Sequence, residues 1–284
     1  MSKPKRHHYI PQMLLKRFAD PDGILHVFDK RFPEKGVQKR TPRNLFVKGD
    51  LYTQFDDKGI KDVSVETEYL SPLEGKAHLA IEKIVSAART RIVPDLSEIE
   101  RRSFVEYFGT QVTRLPERRR RFMEEAKRDV VEKIDRVRAS RPLRSYELAL
   151  HNGGEEIERI WRNSSVSTLP RGFASDPKFE RYAKGSICIA LIRHPTFKRA
   201  FVIGSNPFVR LIDGERIYPD NPGIELWLPL ARDVAVALHP GASDAIRKMK
   251  DKHIWKINES IFNQSSTIAG SSRELIESLR EYAA

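Results

Sequence analysis

The chain reads as an α+β protein: an N-terminal arm and hairpin, a helical middle, and a mainly antiparallel C-terminal sheet. Three observations predict this plan. From Ser71 to about residue 162, apolar residues recur at helical spacing. Beyond residue 180, short β-branched runs alternate with Pro, Gly and Asn turns. Before residue 70, short strand-like and helical pieces follow one another without a long period. The expected organisation is one domain over 1–284, divided into an arm and hairpin (1–70), a helical part (71–165) and a sheet-rich part (180–284).

The elements follow in order. Tyr9, Leu14, Leu15 and Phe18 have approximately helical spacing over 8–19, with Pro11 placed where a first turn tolerates it. "GILHVFDKR" (23–31) reads as a strand. "DDKG" (56–59) is turn chemistry inside an expected hairpin over 50–65. A helix is expected from Ser71, with Pro72 in its first turn and Leu73, Ala77, Ala80, Ile81, Ile84 and Val85 on its apolar face. Ser97 and Glu100 form a capping box for the next helix, whose stripe is Phe104, Val105, Phe108, Val112 and Leu115. Pro116 interrupts or kinks that helix. A charged helix then covers 117–140, with Phe122, Ala126, Val130, Ile134 and Val137 on one narrow face. A further helix is expected over 145–162 and a loop over 169–177. "GSICIALIR", "RAFVIG", "FVRLID", "GIELWLPL" and "VAVALHP" read as strands, and "ELIESLREY" as a closing helix.

Charge is unevenly distributed. The net charge is +12, of which residues 1–50 hold +7 and residues 114–144 hold +6. Such asymmetry attracts polyanions: nucleic acid, an acidic protein or an anionic membrane. Acids at i±4 in the 117–140 helix can neutralise many of its cations, which argues for a merely solvated face there. A single cysteine, Cys188, excludes an internal disulfide and fits a reducing compartment. The apolar run Ile187 to Ile192 is far shorter than the roughly 20 residues that span a bilayer. The basic N-terminus has no signal-peptide core. The expectation is a soluble cytoplasmic protein without membrane contact.

No P-loop, dinucleotide fingerprint, nucleophile elbow, H-E-x-x-H or C-x-x-C is present, so no cofactor and no metal site is expected. Chemistry would have to come from scattered residues. His7, His8, Gln12 and Arg17 share one short stretch, "KRHHYIPQMLLKRF". Imidazoles transfer protons near neutral pH, and arginine grips phosphate bidentately. The plain alternative is an exposed basic tail, but the amphipathic run that follows argues for docking. Gln111 and Arg114 flank Pro116, and "FVIGSNPFV" carries Ser205 and Asn206 into a turn that Asn206 could cap by itself.

These residues resemble a bacterial family, the domain of unknown function 4238. "HHYIPQMLLKRFA" is similar to its opening hallmark, "VETEYLSPLEGKA" to its Glu-containing segment, and "TQVTRLP" to its Gln-x-x-Arg-x-Pro helix. "FVIGSNPFV", "LWLPL" and "INESIFNQSSTIAGSS" resemble later pieces in the family's order, the last placing Asn258. Ser205 stands where the family usually has Asp. The resemblance implies one shared site: His7, His8, Glu74 and Arg114 as catalytic candidates, with Gln12, Arg17, Gln111, Ser205 and Asn206 as substrate-binding ones, and Glu66 as a second acid.

Three functions compete. The first is a nuclease, RNA favoured, using His7 or His8 for general acid–base chemistry, with Arg114 and Arg17 on the scissile phosphate. The family's bacterial setting suggests a toxin or anti-phage effector for such an enzyme. The second is a non-catalytic module for nucleic acid or an acidic partner, whose polar set is a structural network. The third is an enzyme on a small phosphorylated or nucleotide substrate.

Overall fold

The computed structural model describes residues 6–170, 175–212, 217, 225–241 and 244–283. The expected loop over 169–177 therefore lies partly outside the described residues. The arm contains β1 (Arg6–His8), α1 (Gln12–Leu15), β2 (Leu25–Asp29), β3 (Gln38–Arg40), β4 (Val47–Gly49), β5 (Gln54–Phe55) and β6 (Lys61–Asp62). The helical part holds α2 (Ser71–Thr90), α3 (Glu98–Thr113), α4 (Pro116–Arg138), α5 (Ser145–Asn152), α6 (Glu155–Ser167) and α7 (Phe179–Ala183). Then come β7 (Ser186–Leu191), β8 (Ile203–Gly204), β9 (Val209–Leu211), β10 (Glu225–Pro229), β11 (Val234–His239), β12 (Ala245–Lys248), α8 (Asp251–Gln264), β13 (Thr267–Gly270) and α9 (Arg273–Ala283). The fold class is α+β, as expected. Among the described residues, no helix is long and apolar enough to cross a membrane.

Two sheets carry the core. One has strand order β12-β7-β11-β10-β9, antiparallel except for the β12–β7 pair. The other has order β3-β2-β13-β8 and is antiparallel throughout. This second sheet joins both ends of the chain: Val27 faces Ala269, and Phe28 faces Ile268. The arm is thus part of the C-terminal sheet as well as a cover for the helices. The main apolar cluster runs continuously from Ile10, Leu14 and Phe18 through α2 and α3 into both sheets.

Several elements depart from the expected outlines for identifiable reasons. The stretch 8–19 is not one helix. The Tyr9 amide donates to the Phe46 carbonyl, which extends the β1–β4 pairing, and helical bonds begin only at the Pro11 carbonyl. The helix expected over 145–162 is two, α5 and α6, separated by Gly153 and Gly154 at φ +72° and +121°. Both values lie where only glycine sits without strain. Pro116 does interrupt the helical run, as expected: α3 ends at Thr113, and Pro116 occupies the first turn of α4, where its missing N–H costs nothing. The capping box at Ser97 and Glu100 is formed in both directions. On α4, Ile134 is buried as expected, but Phe122 is 60% exposed.

Ion pairs and one amide lock the layers. Arg89 on α2 reaches Asp233 with two 2.8 Å bonds, and Arg101 on α3 holds Asp244, which itself accepts the Ile187 N–H. Asn258 on α8 is 2% exposed; its Oδ1 accepts the Val202 N–H at 3.1 Å, and its Nδ2 donates to the Ala200 carbonyl at 2.7 Å. That explains its placement in an otherwise apolar helix face: the segment 200–202 has no strand partner for these groups in the described pairing. Asn258→Ala leaves two buried backbone groups unsatisfied and should cost about 2–4 kcal/mol. Thermal unfolding should show the midpoint falling by several degrees; an unchanged midpoint would mean that the amide is not a structural clip.

Candidate functional site

The end of α3 brings the arm onto the helices. Phe104, Tyr107 and Phe108 set the buried stripe, and helical spacing carries the same face on to Gln111 and Arg114. Both are buried, with Arg114 only 1% exposed. Gln111 Nε2 donates to the Tyr9 carbonyl at 2.6 Å, and Arg114 Nη2 donates to the His8 carbonyl at 2.5 Å. Two side chains one turn apart thus take two consecutive carbonyls of the arm. The rest of the guanidinium is also committed: Nη1 donates to Glu74 Oε1 at 2.5 Å, and Nε donates to the Tyr52 hydroxyl at 3.1 Å. That hydroxyl in turn donates to the Arg114 carbonyl at 3.2 Å.

Burial pushes the Glu74 carboxyl above its usual range, against the pull of the adjacent Arg114. Burial also opposes charge on Arg114, but Tyr52 and Glu74 outweigh it and hold the guanidinium above its ordinary value. Arg114 is therefore a permanent cation at a 2.5 Å contact, and Glu74 is the anion of the pair.

The histidines flank this node. His7 is 1% exposed and meets Tyr52 edge-on, with ring centroids 5.6 Å apart. Its Nε2 is 3.4 Å from Thr53 Oγ1, and its Nδ1 is 3.5 Å from Glu66 Oε2. Glu66 lies in a π-helical turn, Val65–Leu70, that runs directly into α2. Burial lowers the His8 pKa, partly offset by the backbone at Pro42 and Arg43, so this imidazole is neutral at neutral pH.

Beside the node lies a cleft of about 1360 Å³. The arm contributes Arg6, Arg31, Lys35, Arg40 and Lys48 to its lining, and α4 contributes Arg118, Arg119 and Arg121. These eight cations face three acids, Asp29, Glu117 and Glu125, and no histidine among the described residues. Tyr9 and Phe46 form part of the wall, their rings edge-on at 5.7 Å. Phe46 holds a φ of +53°, a strained value for a bulky residue, and its carbonyl is fixed by the Tyr9 amide. Ser205 and Asn206 lie at the sheet side. The Asn206 backbone is held by Ser265 and Gln264, and Ser205 Oγ accepts the Ser266 N–H at 3.0 Å.

The residues singled out from sequence therefore fall into three places. His7, Glu74, Gln111 and Arg114 gather at the buried node, which His8 joins only through its carbonyl while its half-buried imidazole lies by Pro42 and Arg43. Ser205 and Asn206 line the cleft. Arg17 lies elsewhere, bonded to Glu82 at 2.5 Å and near His78 on α2, and Gln12 is half-buried in α1 outside the cleft lining. Sequence reading missed Tyr9, Arg31, Lys35, Phe32 and Phe122 as cleft residues. The arm's excess charge pointed towards the cations, but nothing in the sequence says that 29–48 and 116–122 face each other. Among the described residues, no group of three or more His, Cys, Asp or Glu is placed to hold a metal ion.

Removing one member of the buried pair exposes the cost of the other. Arg114→Met should destabilise the protein by about 3–5 kcal/mol, and Arg114→Met combined with Glu74→Leu by clearly less, measured by urea unfolding. Because Glu74 has a raised folded-state value, the folded form binds its proton more tightly than the unfolded one. Stability should therefore fall as pH rises from the ordinary carboxylate value through the raised one and then level off. Glu74→Gln should remove that slope.

The model of the family described as "Protein of unknown function (DUF4238)" matches residues 6–274. No curated protein and no solved structure matches the chain.

Proposed function

The chain belongs to this family of unknown function, and we propose that it binds nucleic acid, with the cleft gripping the phosphate backbone. The charge balance of the cleft carries this reading: eight cations against three acids, around a cavity large enough for several nucleotide units. Arg31 pairs with Asp29 and Arg121 with Glu125, but other cleft cations have no carboxylate of their own among the described residues. Arg6 and Arg40 meet the amides of Asn44 and Gln38 rather than carboxylates, and Arg119 donates to the Leu51 carbonyl and Ser165 Oγ. Desolvation lowers the Arg118 and Arg119 values, and neighbouring Arg121 and Arg162 respectively lower them further, a strain that an anion in the cleft would relieve. The outer face of α4 differs: Arg120 is bracketed by Glu117 and Glu124.

Binding is favoured over strand cleavage. The cleft acids are arginine-paired, with Asp29 held by Arg31 through 2.9 and 2.7 Å bonds and Glu117 held by Arg120. Those hydrogen bonds hold both carboxyls below their ordinary values, which makes each a weak proton acceptor as well as no donor at neutral pH. In this reading His7 and His8 belong to the packing that fixes the arm.

Fluorescence anisotropy with a labelled oligonucleotide tests the proposal. Affinity should fall steeply with salt, each neutralised phosphate contributing about 0.7–0.9 to the log–log slope. Arg118→Ala with Lys48→Ala should flatten the slope by roughly 1.4–1.8, whereas Arg120→Ala should leave it unchanged. RNA should remain intact with or without magnesium. Absence of binding at low salt would overturn the reading, and so would strand cleavage lost on mutating His7 in a protein that still folds.

A further inference from the structure

We infer that the cleft selects single strands, whose bases stack on Phe32 and Phe122. This rests on the nucleic-acid reading above and adds the form of the ligand. Phe32 is 46% exposed and Phe122 is 60% exposed, and both line the cleft. Phe122 has a route to burial that the fold does not take. Phe122 begins the apolar stripe of α4, yet it turns to the cleft while Ile134 on the same stripe is buried. Phe32 directly precedes the short helical turn Pro33–Lys35.

Both rings sit among cations. Lys35 Nζ is 4.3 Å from the Phe32 ring centroid, and the Arg31 guanidinium is 6.0 Å from it. Phe122 follows Arg121 directly and lies one turn beyond Arg118, and all three line the cleft. Exposed π-faces interleaved with phosphate-binding cations suit a single strand, in which an unstacked base neighbours each phosphate. A duplex offers the phosphates but hides the base faces in its own stack, so it would leave both rings bare. The uncharged amides of Gln38, Asn44 and Asn206, also in the lining, suit base edges without adding sequence-blind charge.

The test uses the full chain and three fluorescein-labelled probes: a twelve-nucleotide oligo(U), a twelve-nucleotide single-stranded DNA, and a twelve-base-pair duplex. At one fixed salt concentration, a single strand should bind at least tenfold tighter than the duplex. Phe32→Ala and Phe122→Ala should each weaken single-strand binding by about tenfold, within the range known for loss of one stacked base. They should leave duplex binding, the salt slope and the melting midpoint unchanged, because the rings are exposed and contact bases rather than phosphates. Phe122→Trp should restore or improve binding, which a merely structural role would not produce. Equal affinity for strand and duplex, with no effect of either alanine, would sink the stacking inference and leave the phosphate reading standing. No salt-dependent binding of any probe would sink both. Loss of single-strand and duplex affinity together in Phe122→Ala would assign the ring to cleft shape and overturn stacking.

Discussion

The buried guanidinium of Arg114 is the constraint on which the rest depends. It ties α2 through Glu74, the arm through the His8 carbonyl, and the segment after β4 through Tyr52. A cation this deep is costly unless its donors are met, and here Nε, Nη1 and Nη2 each have an acceptor. The network converts a polar cost into a fixed geometry for three segments far apart in sequence. Two residues later Pro116 opens α4, so the turn that ends at the node also aims Arg118, Arg119 and Arg121 at the cleft. Arm position and cleft charge are therefore set by one corner of the structure.

That arrangement gives the opening "HHYIPQ" stretch a physical meaning different from its first appearance. The groups that α3 recognises are backbone carbonyls, those of His8 and Tyr9. The imidazole of His7 fills a pocket between Tyr52, Thr53 and Glu66. Tyr9 turns the other way, into the cleft, beside the strained Phe46. One short segment thus anchors on one face and lines the cleft on the other. A polar cluster of this kind resembles a catalytic set in sequence because both demand uncommon residues at fixed places.

Much of the fold was legible locally. The capping box at Ser97, the Pro start of α2, the helix break at Pro116 and the strands from β7 to β11 follow from short-range chemistry, whereas β12 and β13 were not read. What was not legible is non-local. Nothing near Val27 signals that it will pair with Ala269, and without that pairing the arm looks like a separate piece. The single site implied by the family resemblance is only partly gathered: His7, Glu74, Gln111 and Arg114 meet, while Gln12, Arg17, Ser205 and Asn206 lie elsewhere. The cleft was visible only as two charge excesses. Phe122 was misassigned to an apolar face because a helical stripe records which residues align, not which end of the stripe has a partner. The two-helix break at Gly153–Gly154 was readable in principle, since paired glycines interrupt a helix.

In the proposed binding mode, nucleic acid lies between the arm and the first turns of α4, not along the length of the basic helix. Amide hydrogen exchange of the full chain, with and without a single-stranded oligonucleotide, tests this most directly. The predicted result is slowed exchange at residues 29–40, 44–48 and 116–122, with no change over 128–138 in the second half of α4. Protection confined to 128–138, with none in 29–48, would contradict it and move the binding surface to the outer face of the helix.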